Sequence, residues 1–163
     1  MYPYFSTRKQ IPRPIYAKEL SADNDLLSES TSKLLDIIML CIKNKAKNRS
    51  FYEQLLSDLK DEDNRIIKSI ILDEQKHHKL LFHIHTILNG HEPENTTQTE
   101  TAFSADISKS LSDALLDEAE AIKLYRELMS SAVTEEIKDL FFEIMTDEMI
   151  HSMLLNYLYT KYR

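Results

Sequence analysis

From Ile15 to Arg163 the chain contains one glycine and one proline, Gly90 and Pro93, and these stand almost side by side. The other three prolines, Pro3, Pro12 and Pro14, lie within the first fourteen residues. Inside a helix, glycine costs about 1 kcal/mol and proline about 3 kcal/mol relative to alanine. A chain that confines both to its start and to one interior point can run as long helices on either side of that point. The composition agrees, being rich in Leu, Ile, Lys, Glu, Asp and Ser, so the expected class is all-α. A length of 163 residues fits one domain with one sizeable core.

Apolar periodicity divides the chain. Residues 1–25 lack a helical repeat and read as an extended Pro- and Tyr-containing arm, bearing Tyr2, Tyr4, Phe5 and Tyr16 and suited to lying over the bundle or a partner chain. Residues 26–163 read as a bundle with helices at about 28–59, 63–89, 106–131 and 134–161. The inward stripes are 34-38-41-42-52-55-59, 66-67-70-74-77-81-84-88, 107-111-114-115-118-122-125-128 and 137-141-144-148-151-155-158. "DEDN" (61–64) reads as a polar turn, Asn89-Gly90 as a helix stop and Thr134 as a helix N-cap. The segment 91–106 is the one long polar connection. Short, long and short connections give a four-helix bundle of two antiparallel hairpins with one long crossover.

Charge and cysteine content exclude several functions. A net charge of −7 disfavours nucleic acid or an anionic membrane as partner. No apolar run reaches membrane-spanning length, and the N-terminus has no apolar leader core. The single cysteine, Cys41, allows neither an internal disulfide nor a cysteine-based metal site. The expected location is cytoplasmic.

The two hairpins resemble each other. "IILDEQKHHKLL" (70–81) aligns without gaps on "IMTDEMIHSMLL" (144–155), with identities at Ile70/Ile144, Asp73/Asp147, Glu74/Glu148, His77/His151, Leu80/Leu154 and Leu81/Leu155. "KAKNRSFYEQL" (45–55) lies on "EAEAIKLYREL" (118–128), sharing Ala46/Ala119, Tyr52/Tyr125 and Leu55/Leu128. In both E-x-x-H segments the Glu and His fall on the apolar stripe, at steps of 3 and 4. A charged group on an inward face is costly unless paired or bound to a cation. Lys76, His78 and Lys79 fall on the outer side and read as a wet face. Positions equidistant from a hairpin turn are level, which sets Glu118 beside Glu148 and Lys45 beside Glu74.

These motifs resemble those of rubrerythrin-like members of the ferritin-like superfamily: E-x-x-H at Glu74–His77 and Glu148–His151, with Glu118 seven residues before Tyr125. The resemblance covers roughly residues 28–160. It implies a ferritin-like bundle in which Glu74 and Glu148 bridge two irons, Glu118 and His151 serve one, and His77 serves the other. Manganese or zinc would also suit such donors. The chain departs from the pattern at Lys45, which stands seven residues before Tyr52 where the family has a fourth Glu. An ammonium has no lone pair to give a metal. Four carboxylates would balance two divalent ions, whereas Glu74, Glu118 and Glu148 with Lys45 carry −2 and balance one. The expectation is that Lys45 replaces the metal nearest His77, leaving one ion held by Glu118, His151, Glu148 and Glu74. The alternative is that Lys45 pairs with Glu74 in a metal-free bundle serving as a structural or protein-interaction module.

By resemblance, a metal-loaded form would be a non-haem iron oxidoreductase that oxidises ferrous iron or reduces a peroxide. Tyr52 and Tyr125 would stand near the metal, and electrons would come from a separate donor protein, since the chain cannot build a cysteine-rich electron-transfer domain. The chain ends without the short fifth helix of cage-forming ferritins, so a homodimer is expected. Met145, Met149 and Met153 recur every fourth residue and read as core or interface packing.

Overall fold

A computed structural model describes residues 24–94 and 106–163. It forms a four-helix bundle: α1 (Asn24–Leu55), α2 (Asp61–Asn89), α3 (Ile107–Ser130) and α4 (Glu135–Tyr162). The closest pairings are α1 with α2 and α3 with α4, and the two hairpins meet mainly through α2 and α4. The arm expected over 1–25 lies outside the described residues, save that Asn24 and Asp25 already belong to α1. Residues 95–105 of the long connection also lie outside them.

Local chemistry sets the helix ends. Gly90 adopts φ 79° after α2, a conformation an L side chain rarely takes, and its N–H donates to the Thr86 carbonyl. Asp106 caps α3 by accepting from the Lys109 N–H, and Thr134 caps α4 by accepting from the Ile137 N–H. The first interhelical turn differs from expectation. α1 stops at Leu55, residues 56–60 make the turn, and "DEDN" is the first turn of α2. Its three acids sit where the helix dipole favours them. Lys60 contributes no side-chain cap; its N–H instead donates to Tyr162 Oη from the far end of α4, at 3.0 Å.

The inward stripes fill two separate apolar clusters. One holds Ile38, Ile42, Leu81, Ile84, Leu128, Ile137, Phe141 and Ile144. The other holds Tyr52, Leu55, Ile67, Ile70, Leu111, Leu155 and Leu158. Each fully buried aliphatic side chain contributes about 1.5–3 kcal/mol. Along every helix the stripe passes from one cluster to the other across a single layer of buried polar residues. That layer holds Lys45 on α1, Glu74 and His77 on α2, Glu118 on α3, and Glu148 and His151 on α4. None of the six is more than 2% exposed. No described helix is long and apolar enough to cross a membrane.

Candidate metal centre

In α2 and α4 the E-x-x-H step of three keeps Glu and His on one helical face, and α3 brings Glu118 level with them. One ligand atom each from Glu74, Glu118, Glu148 and His151 gathers within 4.8 Å of the others. All four residues are buried. Glu74 Oε2 and Glu118 Oε2 make no hydrogen bond. Buried carboxylate oxygens without a donor are costly, and a cation drawn to them would remove that cost. The donor set of three carboxylates and an imidazole suits a divalent transition ion such as iron, manganese or zinc. On both grounds the residues present fit such an ion.

His77 does not join this group. Its Nδ1 lies 3.0 Å from Glu148 Oε1, away from hydrogen-bonding geometry, and its Nε2 lies 3.0 Å from Asp147 Oδ2. Lys45 approaches the same Glu148 oxygen. The Lys45 ammonium donates to Glu74 Oε1 at 3.0 Å and to Glu148 Oε1 at short range. It also stands 5.7 Å from the centre of the Tyr125 ring. Lys45 therefore holds both E-x-x-H carboxylates, one from each hairpin.

The carboxylates differ in proton affinity. Burial raises Glu118 well above the usual carboxylate range, and the neighbouring Glu148 carboxylate adds to that. Burial also raises Glu74, although the Lys45 charge opposes it. Glu148 goes the other way: burial is outweighed by the Lys45 charge, with the Glu118 carboxyl, the His151 imidazole and the His77 imidazole close beside it adding to that, and the group is held well below the usual range. Burial works against charging Lys45 too, yet Glu74, Tyr125, Glu148 and Glu118 keep it well above an ordinary lysine. The ammonium thus stays charged despite its burial.

Each imidazole is gripped from the opposite hairpin. His151 Nε2 lies 3.3 Å from Asp73 Oδ2, and its Nδ1 lies 3.3 Å from Glu148 Oε2 and 3.9 Å from Glu118 Oε1. Burial disfavours its charged form, but Asp73 and Glu148 overcome this and push His151 up to about 10. A cation taking Nδ1 must displace the proton there, leaving Nε2–H to donate to Asp73, the arrangement that orients metal-binding imidazoles. Asp147 serves His77 in the same way.

Asp73 and Asp147 were not assigned roles from sequence. The signal was present, since both immediately precede the repeated Glu and are identical between hairpins. Lys76 also departs from its expected place on the wet face. It is 28% exposed and reaches across to α4, to Asp147 at 2.5 Å and Glu143 at 3.4 Å. Lys79 is exposed, and the His78 ring packs 4.8 Å from that of Phe82.

The two tyrosines act differently. Tyr52 donates to Glu118 Oε1 at 2.6 Å, crossing between hairpins. Tyr125 packs against Phe141 and lies beside Cys41, whose thiol burial pushes up to about 11. A groove of about 390 Å³ between α1 and α3 opens beside Cys41, Lys45 and Tyr125, with Lys47, Asp117 and Glu120 also lining it.

No family model, curated protein or solved structure matches this chain.

Proposed function

We propose that this protein is a ferritin-like metal-binding bundle that holds one divalent transition ion, with the Lys45 ammonium occupying the place of a second. The observation that carries this reading is the convergence of Glu74, Glu118, Glu148 and His151 within 4.8 Å, two of their oxygens having no hydrogen bond. Three carboxylates and one ammonium leave a charge of −2 for one divalent ion to balance. When bound, iron would supply one-electron chemistry at this position, and zinc would supply only charge and polarisation.

The chain's own residues would do the rest. Glu118 Oε2 would offer the ion an oxygen with no hydrogen bond of its own, His151 Nδ1 would exchange its contact with Glu148 for the ion, and Glu148 would be shared between the ion and Lys45. Tyr52 fixes the Glu118 carboxylate, and Asp73 fixes the His151 ring. The two apolar clusters exclude water above and below. Because Lys45 removes one metal position, the reading favours binding or one-electron oxidation of iron over a two-electron reduction of peroxide shared by two irons.

Elemental analysis of protein purified without chelator and then incubated with Fe²⁺, Mn²⁺ or Zn²⁺ tests the reading, with about one ion per chain expected. Two tightly held ions in the native sequence would overturn it. Lys45→Glu is expected to raise capacity from about one to about two per chain, as it restores the fourth carboxylate.

A second reading rests on the Lys45 bridge itself. An ammonium already joined to Glu74 and Glu148 can fix the register of the hairpins with no ion present. The absence of any bound ion in both the native chain and Lys45→Glu would favour this metal-free structural role.

A further inference from the structure

We propose that the groove between α1 and α3 is the passage by which small hydrated solutes, the divalent ion first among them, reach the buried polar layer. For the ion this rests on the metal-binding reading; for other solutes it stands alone. A buried site needs an entry path, because a charged or strongly hydrated solute crosses packed apolar side chains only at great cost.

The other sides of the layer are closed. Along the bundle axis the two apolar clusters cap it at either end. At the sides, α1 packs closely on α2 and α3 on α4. Between α2 and α4 stand the rings of His77 and His151, 0% and 1% exposed. Asp147 lies 3.0 Å from His77 Nε2, Asp73 lies 3.3 Å from His151 Nε2, and Lys76 ties α2 to Asp147. Each of these contacts crosses from one hairpin to the other, so that face is laced shut.

Between α1 and α3 the hairpins part instead. The groove there holds about 390 Å³, within the range of small-ligand pockets and roomy enough for an ion that keeps several waters. Lys47, Asp117 and Glu120 stand exposed at its mouth. Two acids and one lysine give that mouth a charge of −1, which admits a cation more readily than an anion. The floor is Cys41, Lys45 and Tyr125, each 2% exposed. Lys45 itself touches Glu74 and Glu148, so one side chain on a flexible stem separates the floor from the ligand atoms. Ala121, half-buried on the α3 wall, puts only a methyl group into the opening.

Filling the groove tests the proposal, with the full chain and Zn²⁺ as the probe. Ala121→Trp sets an indole across the opening without replacing any proposed ligand. It is expected to slow Zn²⁺ uptake, and removal of bound Zn²⁺ by excess EDTA, about tenfold each. Affinity and stoichiometry should stay unchanged, since a passage alters the barrier and not the end states. Leu72→Trp adds the same bulk at a 65% exposed position on α2 and is expected to change neither rate.

Cys41, the single cysteine of the chain, gives a readout that needs no metal. A small neutral methanethiosulfonate is expected to label it in the native chain, and Ala121→Trp to slow that labelling about tenfold. Loss of stability from the added indole would have the opposite sign, because transient opening speeds labelling. Absence of Zn²⁺ binding with slowed labelling upholds the passage and sinks only the metal reading. Zn²⁺ that binds and releases at native rates in Ala121→Trp overturns the passage and leaves the metal reading intact. Labelling that Ala121→Trp does not slow, or uptake that Leu72→Trp slows equally, also overturns it.

Discussion

At Lys45 a single side chain decides how the centre behaves. Its ammonium stands between two buried carboxylates from different hairpins, so removing it leaves both without their cation. Breaking a buried ion pair by deleting one partner costs about 3–5 kcal/mol. Lys45→Met, unfolded by denaturant in buffer containing chelator, is therefore expected to lose about 3 kcal/mol or more. A loss below about 1 kcal/mol would mean that the carboxylates satisfy each other by sharing protons. Much of this was legible in the sequence. The hairpin repeat aligned Lys45 with Glu118, and equal distance from the turn set it level with Glu74. Its contact with Glu148 was not legible, because hairpin register says nothing about how one hairpin faces the other. The same reason hid the cross-hairpin grips of Asp73 on His151 and Asp147 on His77.

At the scale of elements, α2 and α4 are fastened away from the centre by a small polar clamp. Tyr162 Oη donates to Asp63 Oδ2 at 2.6 Å, and Lys161 Nζ donates to Asp63 Oδ1 at 2.9 Å. Burial alone would raise the Asp63 carboxyl, but these two hydrogen bonds outweigh it and hold the group below the usual carboxylate range. A folded value below the unfolded one stabilises the fold above the unfolded value of about 3.9, and that contribution fades as the pH falls through the folded value. Asp63→Asn is thus expected to cost about 1 kcal/mol at pH 7, a fall in melting temperature of about 2–4 °C. The gap from the native chain should close as the pH drops below about 4. An equal gap in acid and at neutrality would show that the ionised carboxylate contributes nothing. The sequence misplaced this region because the apolar period runs on through the turn: Leu59 lies outside α1 yet is only 8% exposed. Periodicity alone could not see the break, and the acids of "DEDN" read equally well as turn or as helix start.

Across the whole molecule, the polar layer is the one place where all four helices must agree. Each apolar cluster can tolerate some sliding of one hairpin against the other, but ligand atoms gathered within 4.8 Å cannot. A cation bound there joins both hairpins and stabilises the folded chain by mass action, by about 2.7 kcal/mol at a concentration one hundred times its dissociation constant. For a chain of this size that is a rise of about 5–10 °C in melting temperature. The rise should vanish in Glu118→Gln, and a rise that persists in that variant would place the ion elsewhere. The bundle itself was readable because near-exclusion of glycine and proline, four stripes and short turns all point the same way. The division of the core into two clusters was readable only in part, since each stripe shows where polar residues interrupt it but not that the interruptions align.

A cation carried on a side chain cannot be drawn away by a chelator, exchanged for another element or change its valence. On the proposed reading, Lys45 makes half of the polar layer indifferent to the surrounding supply of metal. Titration of the remaining half should then follow a simple one-step curve, with no cooperative second uptake.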